Sequence, residues 1–158
     1  MSAIGADDVR VFSESVAAYF EVTTRERAAV RSAFVLDGAR APAWGEFSGV
    51  IRLTGRYGGS VSFTASRKLL SHVLLLAGEK DFSDEAHRDV VGEIANTMSG
   101  RARAHFGEGM EISPPEAFGG KGPAVGPPLE GVRARPFAIP FTWRGYDACL
   151  VVHMEPRA

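Results

Sequence analysis

From Asp7 to Val22 the apolar residues fall three and four apart, at Val9, Phe12, Val16, Tyr19 and Phe20. That spacing lines one side of a helix, with Asp7 and Asp8 at its dipole-positive start. After Arg31 the period shortens toward two. Phe34 and Leu36 precede an Asp37-Gly38 turn signal, and the run from Phe47 to Leu53 has strand composition. Val61, Phe63 and Ala65 alternate with Ser62 and Thr64 after a Gly58-Gly59 break, which predicts a hairpin with the preceding run. Three strands are expected after the first helix.

Ser66 is placed to cap a second helix carrying Leu69, Leu70, Val73, Leu74 and Leu76 and ending at Gly78. Being apolar on more than one side, it is expected to be buried. Ser83 is placed to cap a third helix, with Asp84 and Glu85 in its first turn, that runs to about Gly107. Beyond it come Met110 to Ile112, a Pro/Gly-rich stretch from Pro114 to Gly131 that reads as a surface loop, and a strand-like run from Val132 to Trp143. An Arg144-Gly145 turn then leads into alternation from Tyr146 to Met154. The order α-β-β-β-α-α-β-β-β predicts an α+β fold, a mainly antiparallel sheet packed by helices on one face.

A chain of 158 residues, 45% hydrophobic and 23% charged, has room for one compact domain, expected to span residues 1–158. Eighteen basic and nineteen acidic side chains leave a net charge of -1, so no global field draws the chain to nucleic acid or anionic lipid. The longest apolar run, around Val73 to Ala77, is far below the roughly 20 residues that cross a bilayer. The first residues carry acids and lack a basic region followed by an apolar one, and a lone Cys149 allows no intrachain disulfide. These features predict a cytoplasmic protein that binds neither nucleic acid nor membrane.

Strong enzyme motifs are sparse. Gly119-Gly120-Lys121-Gly122 lacks both the Ser/Thr after lysine and the preceding glycine frame of a phosphate loop. His72, His87, His105 and His153 are scattered without zinc-ligand spacing and read as ordinary surface or edge histidines, so no metal is expected on this chain. Cys149, in an alternating strand, reads as a buried inert thiol.

The third helix is different. With Asp89 as the origin, Glu93, Asn96, Gly100 and Arg103 fall within about 40° of it at 3.6 residues per turn. Val91, Ile94, Met98 and Ala102 centre on the opposite, core-facing side. Gly92 and Gly100 lie on or beside the polar stripe, where each weakens a helix by about 1 kcal/mol relative to alanine. What glycine supplies is space, so a bulky group can approach near Glu93 and Asn96. These two side chains project from adjacent turns in nearly one direction, so both can enter one pocket on a partner.

The run Asp89-Val90-Val91-Gly92-Glu93-Ile94-Ala95-Asn96-Thr97-Met98-Ser99-Gly100 resembles the E-x-x-N-x-x-x-G signature of the CheC/CheX/FliY phosphatases of bacterial chemotaxis, most closely the CheX branch. Ile112-Ser113-Pro114-Pro115-Glu116-Ala117-Phe118-Gly119-Gly120 is similar to that branch's strand and turn after the motif helix. The resemblance implies hydrolysis of the aspartyl phosphate of a CheY-type response regulator, whose bound Mg²⁺ belongs to the partner, with no cofactor on this chain. It implies that Asn96 aligns the attacking water and Glu93 pairs with the regulator's lysine, with Asp89, Gly92, Gly100 and Arg103 at the contact. Arg101 and Arg103 either attract the regulator's acidic pocket or are simply solvated. On the first helix, Glu14-Ser15-Val16-Ala17 lacks the asparagine of the double-site members, which implies one site per chain and a CheX-like homodimer. Two further readings stand beside this one: a non-catalytic module of the same fold that docks a phosphorylated receiver or a motor or signalling assembly, and a likeness of fold alone.

Overall fold

The computed structural model describes residues 5–36, 44–120 and 135–157. Four long strands, β3 (Phe47–Gly55), β4 (Tyr57–Ala65), β7 (Phe137–Trp143) and β8 (Tyr146–Pro156), form the body of one sheet in the order β7-β8-β4-β3. Each edge is completed by two short strands laid end to end. β1 (Ala29–Val30) and β2 (Phe34–Val35) both pair with β7, while β5 (Met110–Ile112) and β6 (Glu116–Gly119) both pair with β3. Every pairing is antiparallel.

Three helices, α1 (Ala6–Thr24), α2 (Arg67–Leu76) and α3 (Asp84–Phe106), contribute to the core on one face of this sheet. Alternation decides which strand residues meet them. Phe47, Ile51 and Leu53 of β3, Val61 and Phe63 of β4, and Leu150 and Val152 of β8 join Phe12, Val16 and Phe20 of α1 in the core. Ring contacts run through its centre, Phe20 meeting Phe141 at 5.6 Å and Trp143 at 5.4 Å. The opposite sheet face carries small polar side chains, where Ser48 donates to Thr64 Oγ1 at 2.9 Å. The α+β class and the helices on one face are as the hydrophobic pattern predicts.

Several details differ from that expectation. The order is α-β-β-β-β-α-α-β-β-β-β, because β1 and β6 add a strand to each half. Two residues of β1 show no periodicity, and β6 lies inside the stretch that composition assigns to a loop; Ser113 and the β3 ladder hold it in place. The β3–β4 turn falls at Arg56, not at Gly58-Gly59, which both belong to β4. α2 is buried on one side only, leaving Leu75 61% and Leu76 40% exposed. The expected Asp37-Gly38 turn, most of the Pro/Gly stretch and the start of the 132–143 run lie outside the described residues. Among the described residues no helix is long and apolar enough to cross a membrane.

Candidate functional site

α3 is set by its ends. Ser83 accepts a hydrogen bond from Ala86 N at 3.2 Å, Asp84 and Glu85 occupy the first turn, and Gly107 closes the helix by donating to the Arg103 carbonyl. His87, expected near the surface, is buried in the first turns. Its Nδ1 lies 2.8 Å from the Ser83 carbonyl, its Nε2 lies 2.6 Å from Ser71 Oγ of α2, and its ring stacks on Phe47 at 5.2 Å. The Ser71 hydroxyl and the Ser83 carbonyl satisfy its two ring nitrogens, which is why an imidazole is tolerated inside. His153, also expected at the surface, is buried on β8, where it registers opposite Ser60 of β4.

Val91, Ile94, Met98 and Ala102 of α3 are buried, whereas Asp89, Glu93, Asn96, Gly100 and Arg103 are exposed. The helix therefore presents the polar stripe as the 3.6-residue period predicts. It lies very close to the sheet. A Cβ on Gly49 of β3 would collide with the Val91 carbonyl and approach Gly92 Cα at 3.0 Å, so only glycine lets the two backbones meet there.

Asp89, Glu93 and Asn96 line a concavity of about 310 Å³ together with Gly92, Arg88, Pro115 and Ala117. The far wall is the segment 113–117, held by specific bonds. Ser113 Oγ accepts from Arg52 N at 2.9 Å and donates to the Pro114 carbonyl at 3.0 Å, and Ala117 registers opposite Gly49. Gly92 is buried, and a Cβ on it would stand 3.3 Å from Pro115 Cβ. The approach that Gly92 permits is that of the chain's own Pro115. Gly100 differs, since a Cβ there would meet nothing within 4 Å. Arg103 donates from Nε to the Met110 carbonyl at 2.8 Å, which ties it to β5.

Asp89 and Glu93 also border a second depression, of about 450 Å³, between α3, α1 and the end of α2. Tyr19 of α1 lies there; burial first, and then the Glu93 carboxylate, push its pKa up to about 12, against the opposing hydrogen bond from Thr23. On α1 itself Glu14 forms an ion pair with Arg27 at 2.7 Å and Ala17 is buried, so this helix offers no second exposed acid-amide pair at those positions. Arg88 and Ala117 of the concavity were not singled out by sequence. Arg88 sits one helical turn before Gly92, on the edge of the stripe, and that spacing was the available signal.

The fold is shared with solved structures of chemotaxis proteins. A CheC-like superfamily protein from Shewanella sp. PV-4 superposes with a TM-score of 0.81 at 22% identity, over 96% of this chain and 99% of the other. The chemotaxis protein CheX from Vibrio vulnificus superposes with a TM-score of 0.80 at 22% identity, over 95% and 100%. CheX from Borrelia burgdorferi, solved in complex with CheY, BeF₃ and Mg²⁺, superposes with a TM-score of 0.73 at 15% identity, over 96% and 99%. Among curated proteins no sequence matches significantly. The profile of the family described as Chemotaxis phosphatase CheX matches residues 47–142, which include the β3–β4 hairpin, all of α3 and the 113–117 wall, and the chain belongs to that family.

Proposed function

We propose that this chain hydrolyses the aspartyl phosphate of a CheY-type receiver domain by inserting Asn96 and Glu93 into the receiver's active site. The observation that carries the reading is that these two side chains stand exposed, one turn apart, on the rim of one concavity in a member of the CheX family. The Borrelia relative solved with CheY supports the class of partner. Mg²⁺ belongs to the receiver in this reading, and the chain itself carries no cofactor.

Phosphoryl transfer through a loose transition state depends on position and charge more than on a protein nucleophile. The Asn96 carboxamide oxygen accepts a hydrogen bond from a water and holds its oxygen in line with the phosphorus. The water oxygen bonds to phosphorus as the bond to the aspartyl oxygen breaks. The aspartate leaves as carboxylate, and the water's proton ends on inorganic phosphate. Glu93 pairs with the receiver's active-site lysine and keeps the insertion in register. Asp89, Gly92, Gly100 and Arg103 complete the contact face, and the chain acts in the cytoplasm as a homodimer.

The test follows loss of phosphoryl label from purified receiver domains. The wild type is expected to accelerate it, and Asn96→Ala to lower the enzyme-dependent rate by about 100-fold, the scale of a lost near-attack alignment. Equal decay with wild type and Asn96→Ala for every receiver of the source organism would end the phosphatase reading. Binding to the receiver without acceleration would make the chain a docking module instead.

A further inference from the structure

The concavity beside Asn96 contains a cation, Arg88, for which the described residues provide no ion pair. Arg88 is half-buried and donates from Nη1 to the Gly119 carbonyl at 3.1 Å. Among the described residues no carboxylate forms an ion pair with it. Arg27 is countered by Glu14 and Glu21, Arg52 by Glu116 and Arg144 by Glu26, whereas Arg88, like Arg103 on the Met110 carbonyl, is held by a backbone oxygen, and of these two Arg88 lines the concavity. Asp84, one turn before Arg88, is engaged by Arg67 at 2.7 Å. A half-buried guanidinium whose hydrogen-bond partner among the described residues is one neutral carbonyl gains little stability from it and retains donors for something else.

The backbone is shaped around this group. Gly119 and Gly120 adopt φ of +118° and +128°, which side chains with a Cβ rarely adopt. A Cβ on Gly120 would stand 3.2 Å from Arg88 Nη1 and 3.1 Å from Asp84 Oδ2. Gly120 thus lets the chain just past β6 close over the guanidinium, while Gly119, whose own Cβ would meet the Glu46 carbonyl and Phe47, supplies the carbonyl that anchors one of its N–H groups. An anchored fork loses less freedom when its remaining donors engage a ligand.

We propose that Arg88 is a docking residue that binds a carboxylate on the receiver surface flanking the phosphorylation pocket. The inference rests on the phosphatase reading above. Arg88 precedes Asn96 by eight residues, roughly 12 Å along the helix axis. When Asn96 reaches the phosphoryl group, Arg88 therefore meets the surface beside that pocket rather than the phosphoryl oxygens. The planar guanidinium matches an aspartate or glutamate there in two-point geometry.

The experiment measures steady-state dephosphorylation and receiver binding for wild type, Arg88→Gln, Arg88→Glu, Arg88→Lys and Asn96→Ala, with thermal melting as a fold control. Arg88→Gln is expected to raise KM about tenfold and Arg88→Glu further, with kcat within about twofold of wild type and only partial recovery in Arg88→Lys, which keeps the charge and loses the two-point fork. The wild-type KM should rise with added NaCl more steeply than that of Arg88→Gln. Arg88→Gln should lose affinity equally for the Mg²⁺-loaded receiver with and without BeF₃, since the carboxylate is present in both. A loss confined to the BeF₃ form would overturn the assignment in favour of a phosphoryl contact. An unchanged KM in Arg88→Gln, or a fall in kcat alone, would overturn it in favour of a purely structural clamp on Gly119. If Asn96→Ala is as active as wild type, the reading of the site itself fails, an outcome separate from the Arg88 result.

Discussion

Gly92 and Gly100 fall on one side of α3 by the same helical period, yet one packs under Pro115 and the other faces open space. Periodicity assigns a face and says nothing of what covers it, so the two were indistinguishable from sequence while Glu93, Asn96 and the buried Val91, Ile94 and Met98 were legible. Tyr19 shows the same limit: its apolar spacing places it in the core, but only the folded chain brings α1 beside Glu93. Its phenol keeps its proton to about pH 12 when folded, against about 10 when unfolded, because burial and the Glu93 carboxylate both oppose the phenolate. A pKa raised on folding contributes stability that is present below pH 10 and lost as pH climbs toward 12. The loss is on the order of 2 kcal/mol across that interval. Urea unfolding of wild type and Tyr19→Phe between pH 9 and 12 should therefore show the wild type losing stability relative to the variant, and parallel curves would contradict the buried, acid-facing phenol.

At the scale of elements, the long amphipathic pieces were readable and the short ones were not. Ser66 and Ser83 cap α2 and α3 as their sequences predict, with bonds to Leu69 N and Ala86 N. β1 and β6 hold two and four residues, too few for a period to register, and exist because β7 and β3 offer them ladders. The seat of α3 on the sheet depends on a residue with no sequence signal at all. Gly49 lies in a strand where a side chain would be ordinary, but its Cβ would run into the Val91 carbonyl. Val91 is one residue from Gly92 and two from Glu93, so α3 cannot move off Gly49 without moving the site. Gly49→Ala is expected to lose about 3 kcal/mol or more, because the added atom meets backbone rather than a movable side chain. It should also raise KM for the receiver under conditions where the variant remains folded. A urea midpoint within experimental error of wild type would show that α3 can ride higher without cost.

The molecule as a whole carries a net charge of -1, so two copies approach without strong mutual repulsion. Its sheet ends in split strands, and the two edges differ in character. On the β5 side the outer strand bears Glu111, whose carboxylate lies 3.4 Å from Thr54 Oγ1. On the other side β2 exposes Phe34 by 46% and Val35 by 61%, and neither residue is followed by a lysine or proline of the kind that blunts an edge. A two-residue strand with bulky apolar side chains, paired among the described residues with β7 alone, suits pairing with its copy about a two-fold axis. Such a contact would use the end of the sheet away from β3, the strand beneath α3, and would leave Glu93 and Asn96 of each protomer open to its own receiver. The expected species at micromolar concentration is therefore a dimer, with sedimentation equilibrium giving twice the 16.9 kDa chain mass. Val35→Lys places a charge on that edge without touching the core and should shift the profile toward the single-chain mass while dephosphorylation per chain persists. A wild-type profile at the single-chain mass would rule out the dimer, and a dimer indifferent to Val35→Lys would move the interface to another surface.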